Sequence, residues 1–270
     1  RTITITNTNT NQWACSTCGL EHPPGPNPPE GNCAICEDDR QYLPVGGQAW
    51  RTMSEIQDGR SAEIIEIEPN LHGIVVTPSI GIGHRSLLVR TPNGNILWDP
   101  PSFIDDTLVA GITDLGGVSA IACSHPHLTG LSVTFSHTFG NCPIWYAADD
   151  QRWIRRPDPV IQLWRDQQEL LPDLTLIQCG GHFAGSAVLH WADGAEGRGA
   201  ILVGDTVRPN ADRRSVSFMR SYPNLIPLPE RSIRRIADTL KPWPFERIYG
   251  GFGDTILENG HQSVQQSASR

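Results

Sequence analysis

Two Cys-x-x-Cys pairs, Cys15 with Cys18 and Cys33 with Cys36, constrain this chain more than any other feature of it. Each pair can close a tight knuckle, and four thiolates brought together form a closed tetrahedral site of the structural zinc type. The stretch that joins the pairs is rich in proline over residues 22–29. A segment this short buries too little apolar surface to fold unaided, so metal binding would supply its folding free energy. Residues 1–45 therefore read as a separate four-cysteine module with a structural role or a role in docking a protein partner. Two disulfides, or iron in place of zinc, are the alternatives.

The other cysteines, Cys123, Cys142 and Cys179, lie in apolar surroundings and read as core packing, because a free cysteine behaves as a small hydrophobe. An odd total of 7 with no secretory pattern favours a reducing, cytoplasmic compartment. Residues 1–12 alternate Thr with Ile and then turn Asn/Thr-rich, which is no signal peptide. The chain starts at Arg1 rather than Met, which raises the expectation of an upstream segment. No apolar run approaches the roughly 20 residues that cross a bilayer, so no membrane association is expected. Lys plus Arg number 21 against 29 Asp plus Glu, a formal charge of −8. That balance speaks against nucleic acid as a partner, since counterion release needs clustered cations. A small anionic substrate held by one or two arginines remains compatible with it.

Residues 46–270 alternate strand and helix signals. The run 63–68 alternates Glu with Ile, and 74–76 is apolar. The runs 87–90 and 96–98 flank Pro92-Asn93-Gly94, and Asn-Gly between apolar runs is a strong hairpin signal. Residues 105–115 read as a helix closed by Gly116-Gly117. Residues 118–123 form a small apolar strand, and strands follow at 174–179, 186–191 and 200–203. Residues 147–155 and 159–170 read as helical. Ile233, Ile236, Ala237 and Leu240 mark one apolar helical face, and the polar tail after Gly260 reads as frayed.

Chemistry-bearing residues fall where strands end. Ser124-His125-Pro126-His127 follows the strand 118–123, and two imidazoles one residue apart on a loop can converge on one ion. The proline between them fixes a backbone angle and reduces the freedom lost on aiming both rings. Gly180-Gly181-His182 follows 174–179, where the glycines let backbone approach closely. Gly204-Asp205-Thr206 ends an apolar strand, and a carboxylate placed there needs a hydrogen bond, an ion pair or a metal. Asp99 ends the hairpin.

The order Asp99, His125-x-His127, Gly181-His182, Gly204-Asp205 resembles the metallo-β-lactamase fold superfamily over about residues 60 to 255. The N-terminal knuckle resembles a zinc ribbon or a rubredoxin-like site. Ser-His-Pro-His, Gly-Gly-His-Phe-Ala-Gly-Ser, Gly-Asp-Thr, Ser217-Phe218-Met219 and Ser221-Tyr222-Pro223-Asn224 look like a group of bacterial and fungal proteins catalogued as metallo-hydrolases. Some of that group carry the Cys-x-x-Cys ribbon. The resemblance implies an α/β fold, an αβ/βα four-layer sandwich, preceded by a small zinc-ribbon module. Dinuclear members carry x-Asp-His after the His-x-His pair, where this chain has Thr129 and Gly130. Their late Gly-His-Gly loop is matched by Gly251-Phe252-Gly253. The implied site therefore holds one metal on His125, His127 and His182, with Asp205 as fourth ligand or as partner to bound water. Asp99 would support the His loop from behind. His84 and His137 read as surface or supporting residues.

With zinc in such a site, an open position holds a water whose pKa falls to about 7. That implies hydrolysis of an ester, thioester, lactone or amide in a small-molecule substrate, with Asp205 orienting the water or taking its proton. Tyr222, Arg208 and Thr129 are candidates for the charge stabilisation a second ion would give. Two other readings stand beside it. His125, His182 and Asp205 match the ligand positions of the persulfide dioxygenase branch, which would use iron and leave His127 unligated. A catalytically silent, zinc-stabilised scaffold that binds a protein through its ribbon is the third. Trp145, Trp153, Trp164 and Trp191 fit core packing and a hydrophobic substrate equally well.

Overall fold

Leu87 and Val89 face one way along their strand and Leu88 the other, and all three are fully buried. That two-residue period on a strand covered on both sides sets the architecture. The structure, a computed structural model, describes residues 10–270, so the Thr/Ile alternation of residues 1–9 lies outside the described residues. One sheet has seven strands in sequence order: β1 (Ser61–Glu68), β2 (Leu71–Thr77), β3 (Ser86–Thr91), β4 (Gly94–Trp98), β5 (Ala120–Ala122), β6 (Ile144–Ala147) and β7 (Ile161–Trp164). Strands β1 to β4 pair antiparallel, and β4 to β7 pair parallel. The second sheet holds β8 (Gln167–Leu171), β9 (Leu174–Gln178), β10 (Ala187–Trp191), β11 (Ala200–Val203), β12 (Arg247–Gly250) and β13 (Thr255–Ile256).

The sheets pack face to face. Leu87, Val89, Ile96, Trp98, Ala120 and Ala122 meet Leu174, Leu176, Leu189, Trp191, Leu202 and Tyr249 in the middle layer. The outer face of the first sheet, with Leu88, Leu97 and Ile121, is covered by helix Asp106–Asp114 and helix Ser132–Thr138. That of the second, with Val188, Ile201, Val203 and Ile248, packs against Ile236 and Leu240 of helix Glu230–Leu240 and Val264 of helix Gly260–Ala268. The four-layer αβ/βα sandwich is thus present. Among the described residues no helix is long and apolar enough to cross a membrane.

The cysteine-bearing segment joins this body. Trp13–Cys15 pairs antiparallel with Trp50–Thr52, on the far side of residue 45, and Ala14 packs in the same core as Ile56, Ile74 and Leu97.

Three expectations are corrected. Residues 159–170 are not helical: Asp166, at φ +58, turns the chain between β7 and β8, and each strand pairs with a sheet. Pairing there overrides the helix propensity of Gln, Glu and Leu. The stretch 147–155 is only a 3-10 helix, Ala148–Trp153. The tail is not frayed, because buried Val264 and a bond from Gln265 Nε2 to the Ala237 carbonyl dock its last helix.

Candidate metal centre

The Asp99 carboxylate, just past β4, accepts the Ser124 amide at 2.6 Å, which fixes the loop that leaves β5. Ser124 Oγ lies 2.8 Å from His125 Nδ1 and can accept its proton, leaving Nε2 as the free lone pair. His182, past the end of β9, donates Nδ1–H to the Met219 carbonyl at 3.2 Å, again freeing Nε2. Asp205 follows β11 through Gly204. A Cβ on Gly204 would lie 2.2 Å from Ser124 Oγ and 2.8 Å from His125 Nδ1, so glycine is what lets the two loops meet.

Ligand atoms of His125, His127, His182 and Asp205 all lie within 4.8 Å of one another. His182 Nε2 stands 3.5 Å from His127 Nδ1 and 3.8 Å from Asp205 Oδ2, and His125 Nε2 stands 3.6 Å from that oxygen. Tetrahedral ligands about 2.1 Å from a cation are separated by about 3.4 Å, so these spacings suit a metal. His125 Nε2 and Asp205 Oδ1 are buried with no hydrogen-bond partner among the described residues, a cost that a cation among them would remove. Burial pushes the pKa of His182 down to about 4 and that of His127 well below the ordinary imidazole value, so both rings are neutral. Burial alone would raise the Asp205 pKa, but the hydrogen bond and field of the adjacent His125 imidazole outweigh it and hold the carboxyl below its usual range. The set is chemically a ligand shell: imidazole nitrogen donors with one carboxylate oxygen.

The four cysteines fit a metal by the same measure. Cys15 Sγ and Cys36 Sγ are 3.6 Å apart, and Cys18 Sγ and Cys33 Sγ 3.7 Å. Tetrahedral thiolates about 2.3 Å from zinc sit about 3.8 Å apart, whereas a disulfide would bring the sulfurs to about 2 Å. All four cysteines are buried.

Other expected residues take varied places. Tyr222 Oη donates to the Asp205 carbonyl at 3.1 Å. Arg208 lies over the Tyr222 and Phe252 rings, 5.0 and 4.5 Å from their centroids, and pairs with Asp254 at 3.3 Å. The Thr129 hydroxyl turns back to the Pro126 carbonyl. His84 is buried, with Nε2 3.1 Å from the Asp99 carbonyl oxygen, and so supports the site from behind. His137 pairs with Asp158 at the surface. Trp164 and Trp191 belong to the middle layer, whereas Trp153 sits edge-on to Phe183 beside the histidines.

Arg40 carried no sequence signal, and the parts played by Phe183 and Gly130 are not announced by the motifs that contain them. The Phe183 ring lies between 4.8 and 5.8 Å from all three imidazoles. Arg40, from the cysteine-bearing segment, stacks on that ring at 3.6 Å and donates to the His182 carbonyl. Gly130 has φ +45, and a Cβ there would lie 2.1 Å from the Pro100 carbonyl oxygen. The run Ser124-His125-Pro126-His127 flags its own chemistry; an arginine one or two turns past a cysteine knuckle does not.

No protein-family model matches the chain. The "Uncharacterized protein YmaE" of Bacillus subtilis (strain 168) is 41% identical over 261 residues, covering 96% of this chain and 94% of that protein. The crystal structure of the metallo-β-lactamase DIM-1 superposes with a TM-score of 0.59 at 14% identity, covering 77% of this chain and 96% of the other. The metallo-β-lactamase FIM-1 from Pseudomonas aeruginosa, solved in its mono-zinc form, superposes with a TM-score of 0.56 at 15% identity, covering 77% and 95%. With its two sheets and their outer helices, the chain has the metallo-β-lactamase fold, and it belongs to one family with YmaE.

Proposed function

We propose that this chain is a metal-dependent hydrolase with one zinc ion in the pocket of His125, His127, His182 and Asp205. Its substrate would be a small molecule with an ester, thioester, lactone or amide bond. The observation that carries the reading is the convergence of those four side chains at tetrahedral spacing, with lone pairs left free. Held by the three imidazoles, such an ion would keep a fourth position for water and would supply a Lewis acid and a water of lowered pKa. Asp205 Oδ1, which has no other partner, would orient that water and take its proton. The Tyr222 hydroxyl, committed to the Asp205 backbone, holds the carboxylate's segment in place. Phe183 and Trp153 exclude bulk water from the imidazoles.

A single ion is supported by Gly130, whose backbone leaves no room for a side chain at the position where dinuclear members carry histidine. FIM-1 in its mono-zinc form shares the fold, though at 15% identity it speaks to the fold alone. The iron dioxygenase reading leaves His127 unligated, yet His127 Nδ1 stands among the converging atoms.

Metal analysis with an ester, thioester, lactone and β-lactam panel tests the proposal. Two zinc ions per chain are expected, with hydrolysis that is lost together with one zinc in His182→Ala. Iron with oxygen consumption would establish the dioxygenase. One zinc, held by the cysteines, and no turnover would establish the scaffold.

A further inference from the structure

We propose that the four-cysteine knuckle is a positioning element of the histidine pocket, acting through Arg40 and Glu21, so that cation binding at one site raises affinity at the other. The inference rests on the pocket binding a metal. Only a few residues separate each cysteine pair from a side chain that grips a histidine loop.

Glu21 follows the first pair by three positions. Its amide donates to the Gly130 carbonyl at 3.2 Å, just past His127. Its buried carboxylate accepts the Val133 amide at 2.5 Å and the Thr134 hydroxyl at 2.7 Å, and pairs with Arg156. The segment that leaves the His-x-His loop is thereby tied at both ends to a residue just past the first cysteine pair.

Arg40 follows the second pair by four. The knuckle turn closes with Cys36 and Glu37 amides on the Cys33 carbonyl and the Asp38 amide on Ile35. Asp38 grips the Arg40 guanidinium with both oxygens, at 2.6 and 2.7 Å. Held so, Arg40 stacks on Phe183 and donates Nη1 to the His182 carbonyl at 2.9 Å. The side chain is only 9% exposed, and two of its faces are occupied by the loop that carries His182. Asp39 completes the arrangement: its carbonyl accepts Ser221 Oγ at 2.8 Å and Asn224 Nδ2 at 2.7 Å, and its carboxylate pairs with Arg220. Strand Met219–Ser221 is the one whose Met219 carbonyl fixes the His182 ring. Residues 38–40 therefore hold both the backbone and the ring of His182.

Each cysteine pair thus governs one histidine segment. With the knuckle metal gone, the turn that presents residues 38–40 loses its anchor on the cysteines, and their clamp on the His182 loop loosens. Coupling of this kind is reciprocal: pocket binding must tighten the knuckle by the same factor. Arg40 touches no ligand atom, so its part is to position and not to react.

Cobalt(II) titration of the full chain tests this in wild type, Arg40→Ala and Arg40→Lys. Cobalt on thiolates gives an intense charge-transfer band and cobalt on imidazole and carboxylate only weak d–d bands, so one spectrum reads both sites. Wild type is expected to take up two cobalt ions. Arg40→Ala should keep the charge-transfer band and bind the second ion at least tenfold more weakly. Arg40→Lys, which retains a donor for the His182 carbonyl, should recover part of the loss. A second measurement leaves the sequence intact: a mercurial thiol reagent strips the knuckle of zinc-loaded wild type, and the pocket ion should then pass to a chelator it otherwise resists. Full affinity for the second cobalt in Arg40→Ala, or retention of the pocket ion after stripping, overturns the coupling alone. A wild-type chain that binds one cobalt, on thiolates, overturns the metal pocket and the coupling with it.

Discussion

Asp99 Oδ1 accepts the Ser124 amide at 2.6 Å across the parallel pair β4–β5, while its other oxygen, fully buried, has no partner. Burial pushes the Asp99 pKa up to about 7, against the smaller opposing pull of His125 and the Ser124 bond.

The sign of the resulting pH dependence follows. The native chain holds the Asp99 proton up to about pH 7, whereas the unfolded chain releases it near 3.9, so the stability it contributes is complete below about pH 4 and is lost as pH rises towards 7. Asp99→Asn removes that loss and keeps an oxygen for Ser124. In protein freed of pocket metal, the stability of the variant relative to wild type should rise by about 2–3 kcal/mol between pH 5 and 7.5. The comparison must be a difference, because His182, pushed down to about 4, has the opposite slope in both proteins. Urea titrations at the two pH values measure it, and a flat difference would mean that Asp99 stays ionised.

Thiol chemistry separates the two cysteine classes. Burial raises the pKa of Cys123 well above its ordinary value, raises that of Cys142, and brings Cys179 to about 12. At pH 8 Cys179 holds roughly one thiolate in 10⁴ molecules, and all three thiols are shielded by burial. Alkylation of the native chain at pH 8 should therefore leave Cys123, Cys142 and Cys179 unlabelled. Removing the knuckle metal should expose Cys15, Cys18, Cys33 and Cys36 first, and unfolding the rest. Peptide mapping after timed labelling reads the order.

The ends of the strands were legible because burial on both faces writes near-continuous apolar runs, and because a polar residue placed after one stands out. His125, His182 and Asp205 are of this kind, and so is the Asn93-Gly94 turn. What was hidden depends on side chains that reach across the fold. Arg40 and His182 are 142 positions apart, and Glu21 and Val133 are 112 apart; neither pattern has a local period to betray it. The region 159–170 misled for a related reason: its composition favours a helix, and only the neighbouring strands β6 and β9 make it two strands.

The middle layer is one of the fold's fully buried cores. Leu189 is fully buried on β10 between the two sheets, so Leu189→Ala should cost about 2–5 kcal/mol. Leu225, 79% exposed, should change stability by less than about 0.5 kcal/mol when truncated. Denaturant midpoints at constant slope distinguish them, and equal losses would contradict the packing described.

Gly130 decides whether a second ion can be restored. Dinuclear members of the superfamily carry Asp and His where this chain has Thr129 and Gly130, so the double change Thr129→Asp, Gly130→His is the obvious repair. The backbone opposes it: at φ +45 a Cβ would lie 2.1 Å from the Pro100 carbonyl oxygen and 2.8 Å from that of Pro101. Those two prolines follow Asp99 directly, and the Gly130 carbonyl is itself held by the Glu21 amide. A side chain at 130 must push the Asp99 segment away from the histidine loop. Gly130→Ala should therefore already cost at least about 2 kcal/mol, with histidine no better, because the clash lies with the first carbon. Cobalt stoichiometry in the double variant should not exceed that of wild type. A third ion per chain would show that the Pro100-Pro101 backbone yields; its absence would show that the loop's backbone, and not only the side chains at 129 and 130, keeps a further ion out.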